Sequence, residues 1–147
     1  MYTKINEKDS AMKLGAIYSK EKTTFTLFSP VADSVFVIFY DKGNDSAETG
    51  RLEMVRGEGE LRSIFSATAE GNLDGVYYTY EVHTSDGTFS SHDPYARACG
   101  VNGHRSMVID LSKTDPDGFA DEDRPKLADP MSMVITEVSI VDVSAGA

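Results

Sequence analysis

Tryptophan is absent from this chain of 147 residues, and cysteine occurs once, at Cys99. A single thiol excludes an intramolecular disulfide. Cys99 is expected to be a small, half-buried side chain, since no base stands near it in the sequence to make it a nucleophile. The three histidines, His83, His92 and His104, lack the tight spacing of a zinc site, which needs three or four ligands in a defined cluster. No metal and no cofactor is therefore expected. Basic residues are also scarce. Lys and Arg number 14 against 24 Asp and Glu, for a formal net charge of -10. Nucleic acid is excluded as a partner, because neutralising phosphates takes clustered Lys and Arg. An anionic membrane surface is excluded for the same reason. No apolar run is long enough to span a bilayer.

The first 13 residues are polar and of mixed charge, without the apolar centre of a signal peptide. They read as a frayed leader. The chain is expected to be cytoplasmic, or exported with its signal absent from this sequence.

What the chain does have is an ordinary globular composition, 40% hydrophobic and 26% charged. Its length suits one domain with a sizeable core. β-Branched and aromatic residues cluster in short runs bounded by turn residues. Residues 14–18 form a first short apolar run. Residues 23–28 read as a strand stopped by Ser29-Pro30. Residues 34–40 are apolar on both faces, the pattern of a central or doubly covered strand. Residues 51–56 read as a short, weaker strand. Residues 61–68 form the next strand, with Phe65, Ala67 and Ala69 sharing one face by period two.

In residues 76–83, Val76, Tyr78, Tyr80 and Val82 make the expected core face. Tyr77, Thr79, Glu81 and His83 make the expected wet face. Asp86-Gly87 signals a hairpin, and residues 88–90 return from it. Residues 106–111 and 134–143 read as further strands. The acidic stretch 112–133 holds Pro116, Pro125 and Pro130 and cannot be one regular element. Such spacing predicts an all-β fold, an immunoglobulin-like antiparallel β-sandwich with an irregular C-terminal extension. No helix of any length is expected.

The segment 92–110 is too rich in Pro, Gly and Asn to be regular, so it is an ordered connector. Within it, Asp93 precedes Pro94, which pushes its backbone to an extended conformation. Its carboxylate can then bond following amides in an Asx-type turn or pair with Arg97. His92 is expected to orient the connector by bonding local carbonyls, with Tyr95 beside it. Asn102-Gly103 supplies the positive φ of a turn. The acidic group Asp115, Asp117, Asp121, Glu122 and Asp123 invites a calcium reading, but Gly118 is out of register for a binding loop and the prolines stiffen the segment.

Three stretches in this order (residues 14–43, residues 71–80, and residues 92–119 with their Asp-Pro-Tyr-Ala) resemble the N-terminal module of type I pullulanases. That module belongs to carbohydrate-binding module family 48 and precedes a barrel of glycoside hydrolase family 13. The resemblance implies a non-catalytic accessory module, residues 14–111, of an α-glucan debranching hydrolase. Its partners would be the catalytic barrel of the same parent and α-glucan. Residues 112–147 would be an acidic linker and the start of a barrel that this chain lacks.

Residues 134–144 are similar to the first barrel strand, but Thr136, Ser139 and Val141 stand where the family usually has Tyr, His and Arg. An apolar strand left unpaired there would be disordered, self-associate or adopt an edge position. No catalytic residue carries over, so enzymatic activity belongs to the parent if anywhere. The family often carries Trp where Phe28 stands, and glycogen-binding relatives use a Trp pair. Without Trp, the expected sugar contacts are Tyr77, with Glu81 and His83 on the same face. Alternative readings are a stand-alone glucan-binding module and a degenerate immunoglobulin-like interaction domain.

Overall fold

The computed structural model describes residues 13–123 and 126–144. Nearly all of the expected leader, together with Pro125, lies outside them. The chain divides into two compact units, Met1–Thr114 and Asp115–Ala147.

The first unit is built from antiparallel strands: β1 Gly15–Tyr18, β2 Lys22–Phe28, β3 Ser34–Tyr40, β4 Glu48–Arg56, β5 Ile64–Glu70, β6 Tyr77–Thr84, β7 Gly87–Ser91, β8 Ala98–Cys99 and β9 Ser106–Met107. Their order is β1-β2-β5-β4-β3-β6-β9-β8, with β7 on β6 as well. β4 pairs with β3 along most of its length and with β5 at Val55 and Arg56. It thereby carries the hydrogen-bonded ladder from one layer of the sandwich to the other. The expected sandwich is what forms.

β3 is central, as its two-faced apolarity implied, with β4 on one side and β6 on the other. The layers meet through aromatic rings. Phe25 of β2 packs edge-on against Tyr78 of β6 at 5.0 Å and Phe39 of β3 at 5.7 Å. Phe25, Val35, Val37, Phe65, Tyr78, Tyr80 and Val108 form the heart of the buried core. Burying each such side chain contributes roughly 1.5–3 kcal/mol before entropy is set against it.

Four local expectations are corrected. β4 is long, nine residues, because Arg51 and Glu53 lie on the outer face while Leu52 and Met54 face the core and Arg56 covers the buried Phe65 ring at 4.9 Å. Residues 59–61 form a 3₁₀ turn before β5 starts at Ile64. The strand expected over 106–111 stops early. Val108 still exchanges bonds with Val76 and Gly75, but the Asp110 carboxylate then accepts the Ser112 N–H and starts a 3₁₀ turn. Thr79, assigned to the wet face, is buried because Tyr40 on β3 reaches over it, hydroxyl to hydroxyl at 3.2 Å.

In the second unit, two 3₁₀ turns, Phe119–Asp121 and Pro130–Ser132, precede a five-residue helix, α1, Ile140–Ser144. The strand expected over 134–143 does not form. β-Branching favours extended backbone, but a strand satisfies its N–H and C=O groups only through a neighbour. No described strand pairs with this segment. Val134, Ile135, Val138, Ile140 and Val141 are all exposed. Among the described residues no helix is long and apolar enough to cross a membrane.

Candidate functional site

The connector is fastened to the sandwich by one buried carboxylate. Tyr78 and Tyr80 alternate with outward residues on β6, so both rings enter the core and their hydroxyls emerge near Asp93. Asp93 Oδ2 accepts from Tyr78 Oη at 2.7 Å and from Tyr80 Oη at 3.2 Å. Oδ1 accepts the Tyr95 N–H at 2.8 Å, the expected Asx-type turn. The Asp93 N–H donates to Ser106 Oγ at 2.8 Å. Asp93 is only 3% exposed, and the tyrosines, not Arg97, satisfy it. Burial, then the Asp93 charge, push both phenols well above the ordinary tyrosine value.

A second fastener lies at the far end of the connector. Arg105 stacks on the Tyr40 ring at 3.5 Å and donates to Lys42 O, Ser46 Oγ and Ser46 O. It holds the β3–β4 loop against the connector, where Gly43 and Gly100 touch backbone to backbone. A Cβ on Gly100 would lie 2.5 Å from Gly43 Cα. Asn102 takes φ 52° and Gly103 φ 70°, the positive-φ turn expected of the pair. Sequence reasoning missed Arg105, whose partners are about sixty residues away. His92 is exposed, and its carbonyl accepts the Ser91 hydroxyl. Its imidazole bonds no connector carbonyl, because the chain turns it outward before Asp93 dips into the core. Pro94 and Tyr95 are exposed as well, and so is Cys99, which was expected half-buried.

The expected sugar-contact residues divide. Glu81 and His83 come together on the outer face of β6, with His83 Nε2 2.9 Å from Glu81 Oε1. With that N–H donating, Nδ1 accepts from the Thr88 hydroxyl at 3.2 Å. Arg51 of β4 reaches across β3 to Glu81 at 3.4 Å and also bonds Glu48 of its own strand at 3.0 Å. Its guanidinium and the His83 ring both pack on Phe36, at 5.6 and 5.4 Å. The result is a polar, partly aromatic platform with donors and acceptors for hydroxyl groups. Tyr77 is not part of it. Four residues along the strand, roughly 13 Å away, it packs on the backbone of Gly43, where a Cβ would meet its ring at 3.1 Å.

A third region is a cleft of about 290 Å³ lined by β1 and residues 107–112. Asp110 lines it, and the Lys113 ammonium lies 3.9 Å from Asp110 Oδ2 while donating to Asp74 Oδ2 at 2.6 Å. The Lys113 bond holds the Asp74 carboxyl below the usual carboxylate range, and the Ser112 bond does the same for Asp110. Retaining glycoside hydrolysis needs one carboxyl of a pair to be protonated. Both shifts run opposite to the raised value that a general acid needs. Among the described residues no group of acids, His and Cys could hold a metal ion.

The model of the family described as carbohydrate-binding module 48 (isoamylase N-terminal domain) matches residues 13–96. Pullulanase A of Streptococcus pneumoniae is 31% identical over 116 residues, which cover 74% of this chain and 9% of that protein. Pullulanase of Bacillus subtilis is 30% identical, over 66% of this chain and 13% of that protein. The crystal structure of pullulanase from Paenibacillus barengoltzii in complex with maltohexaose and alpha-cyclodextrin superposes with a TM-score of 0.76 at 34% identity, covering 86% of this chain and 19% of that one. Pullulanase from Bacillus acidopullulyticus gives 0.72 at 35% identity, over 80% and 14%. The chain thus spans a small part of each relative.

Proposed function

The chain belongs to the carbohydrate-binding module 48 family, and on that premise we propose that it is the accessory module of a pullulanase-type α-glucan debranching hydrolase, packing on the parent's catalytic barrel. The observation that carries this reading is the Asp93 node, which ties the connector to two core tyrosines. A connector held this way keeps the last strands, β8 and β9, in place on the sandwich and so presents a fixed face to the parent. Its role is positioning. The relatives carry matching segments as minor parts of much longer proteins.

The barrel-packing role is tested by titrating the chain against Paenibacillus barengoltzii pullulanase from which the matching segment has been deleted. Saturable binding supports the role, and no binding at high micromolar chain contradicts it.

A glucan contact on the Glu81–His83–Arg51 platform is the finer part of the proposal, with Tyr77 beyond it. Affinity electrophoresis in gels containing pullulan, glycogen or amylopectin addresses it separately. Retardation that is lost on Glu81→Gln or His83→Ala supports the contact. Unchanged mobility of the native chain in every gel removes the contact and leaves the packing role standing.

A further inference from the structure

β7 is an unguarded sheet edge. Among the described residues it pairs only with β6, and all five of its residues, Gly87-Thr88-Phe89-Ser90-Ser91, are exposed. Sheet edges are normally blunted by a charge, a proline or a bulge. β7 contains no charged residue and no proline, and its register with β6 is regular throughout.

The two-residue loop Ser85-Asp86 makes Thr84 and Gly87 the closing hydrogen-bonded pair of the hairpin. Alternation along an antiparallel ladder then assigns the backbone groups of Gly87, Phe89 and Ser91 to β6. Those of Thr88 and Ser90 point outward.

We propose that β7 is a dimerisation edge whose occupant is β7 of a second copy, paired antiparallel about a two-fold axis at Phe89. An isologous contact needs a self-complementary strand, and this one meets that condition at every position. Centring on Phe89 puts Thr88 opposite Ser90 of the second copy, so four outward N–H and C=O pairs close across the axis. Phe89, 54% exposed in the single chain, meets its own copy in the closely spaced, non-hydrogen-bonded position, where aromatic pairs gain most.

The same register sets Asp86 opposite His92 of the second copy, at both ends. Both side chains are exposed. A carboxylate faces an imidazole rather than another carboxylate, which matters in a chain of net charge -10. The edge is short, so the dimer is weak and concentration-dependent.

Sedimentation equilibrium of the full chain into the millimolar range tests this. The apparent mass should rise towards twice the monomer. Amide exchange at Thr88 and Ser90 should slow with concentration, while Phe89, already bonded to β6, stays constant. Ser90→Pro removes an outward N–H without touching the β6 ladder and should weaken association about tenfold or more. Asp86→Arg and His92→Glu should each weaken it, and their combination should restore it. A chain monomeric at millimolar concentration overturns the proposal. So does association that survives Ser90→Pro, or that Ile135→Asp alone abolishes, since the exposed segment around Ile135 would then be the contact.

Discussion

Tyr78 and Tyr80 donate to the same oxygen, Asp93 Oδ2, at 2.7 and 3.2 Å. Two core side chains of one strand thus converge on the residue that opens the connector between β7 and β8. Asp93→Ala would leave both hydroxyls and the Tyr95 amide without their acceptor. Unsatisfied buried donors cost roughly 1–3 kcal/mol each, so the variant should lose about 2–5 kcal/mol in urea unfolding. Asp93→Asn should lose less, since its amide oxygen still accepts.

The same node sets behaviour in alkali. Both phenols are raised in the folded chain. Stability is therefore intact below the unfolded tyrosine value near 10 and declines above it. Each tyrosine should contribute a slope of about 1.4 kcal/mol per pH unit in that range. Urea midpoints measured from pH 9 to 12 should fall steeply. Tyr80→Phe should make the fall shallower by about one proton's worth.

At the other fastener, Arg105→Lys keeps the charge but loses the planar stack on Tyr40 and the fork to Ser46. The expected cost is about 1–2 kcal/mol, with faster amide exchange confined to residues 41–47 and 99–105. An unchanged exchange map would mean that Arg105 does not hold the loop.

Gly100→Ala puts a methyl 2.5 Å from Gly43 Cα and 2.8 Å from Gly43 O. Backbone cannot yield as a side-chain tip can, so this variant should lose about 1–3 kcal/mol. Gly59→Ala meets nothing within 4 Å and shows only the cost of its positive φ. Thermal unfolding of the two variants separates crowding from backbone strain.

The strands of the core were legible because period two and β-branching act locally. Tyr78 and Tyr80 on β6 face inward as their spacing implied. The Asx turn at Asp93 was legible for the same reason, since its donor is two residues away. What could not be read was set by partners distant in sequence. Tyr40 covers Thr79 from the neighbouring strand, Tyr78 reaches Asp93 across 15 residues, and Arg105 finds Ser46 across 59. Residues 134–143 failed in the opposite way. Their composition favours a strand, but a strand needs a neighbour, and no described strand provides one. On the outer face, the Glu81–His83 pair followed from spacing along one strand, whereas Arg51 joined it from β4 and Tyr77 was drawn away to Gly43.

The account is tested most directly by exchange. This chain replaces the matching segment of Paenibacillus barengoltzii pullulanase, and pullulan hydrolysis is measured against the segment-deleted enzyme and against an exchange carrying Asp93→Ala. The account predicts that the native chain restores soluble, active enzyme and that Asp93→Ala restores substantially less, through a module that no longer holds its connector. An exchange no more active than the deletion would contradict the account.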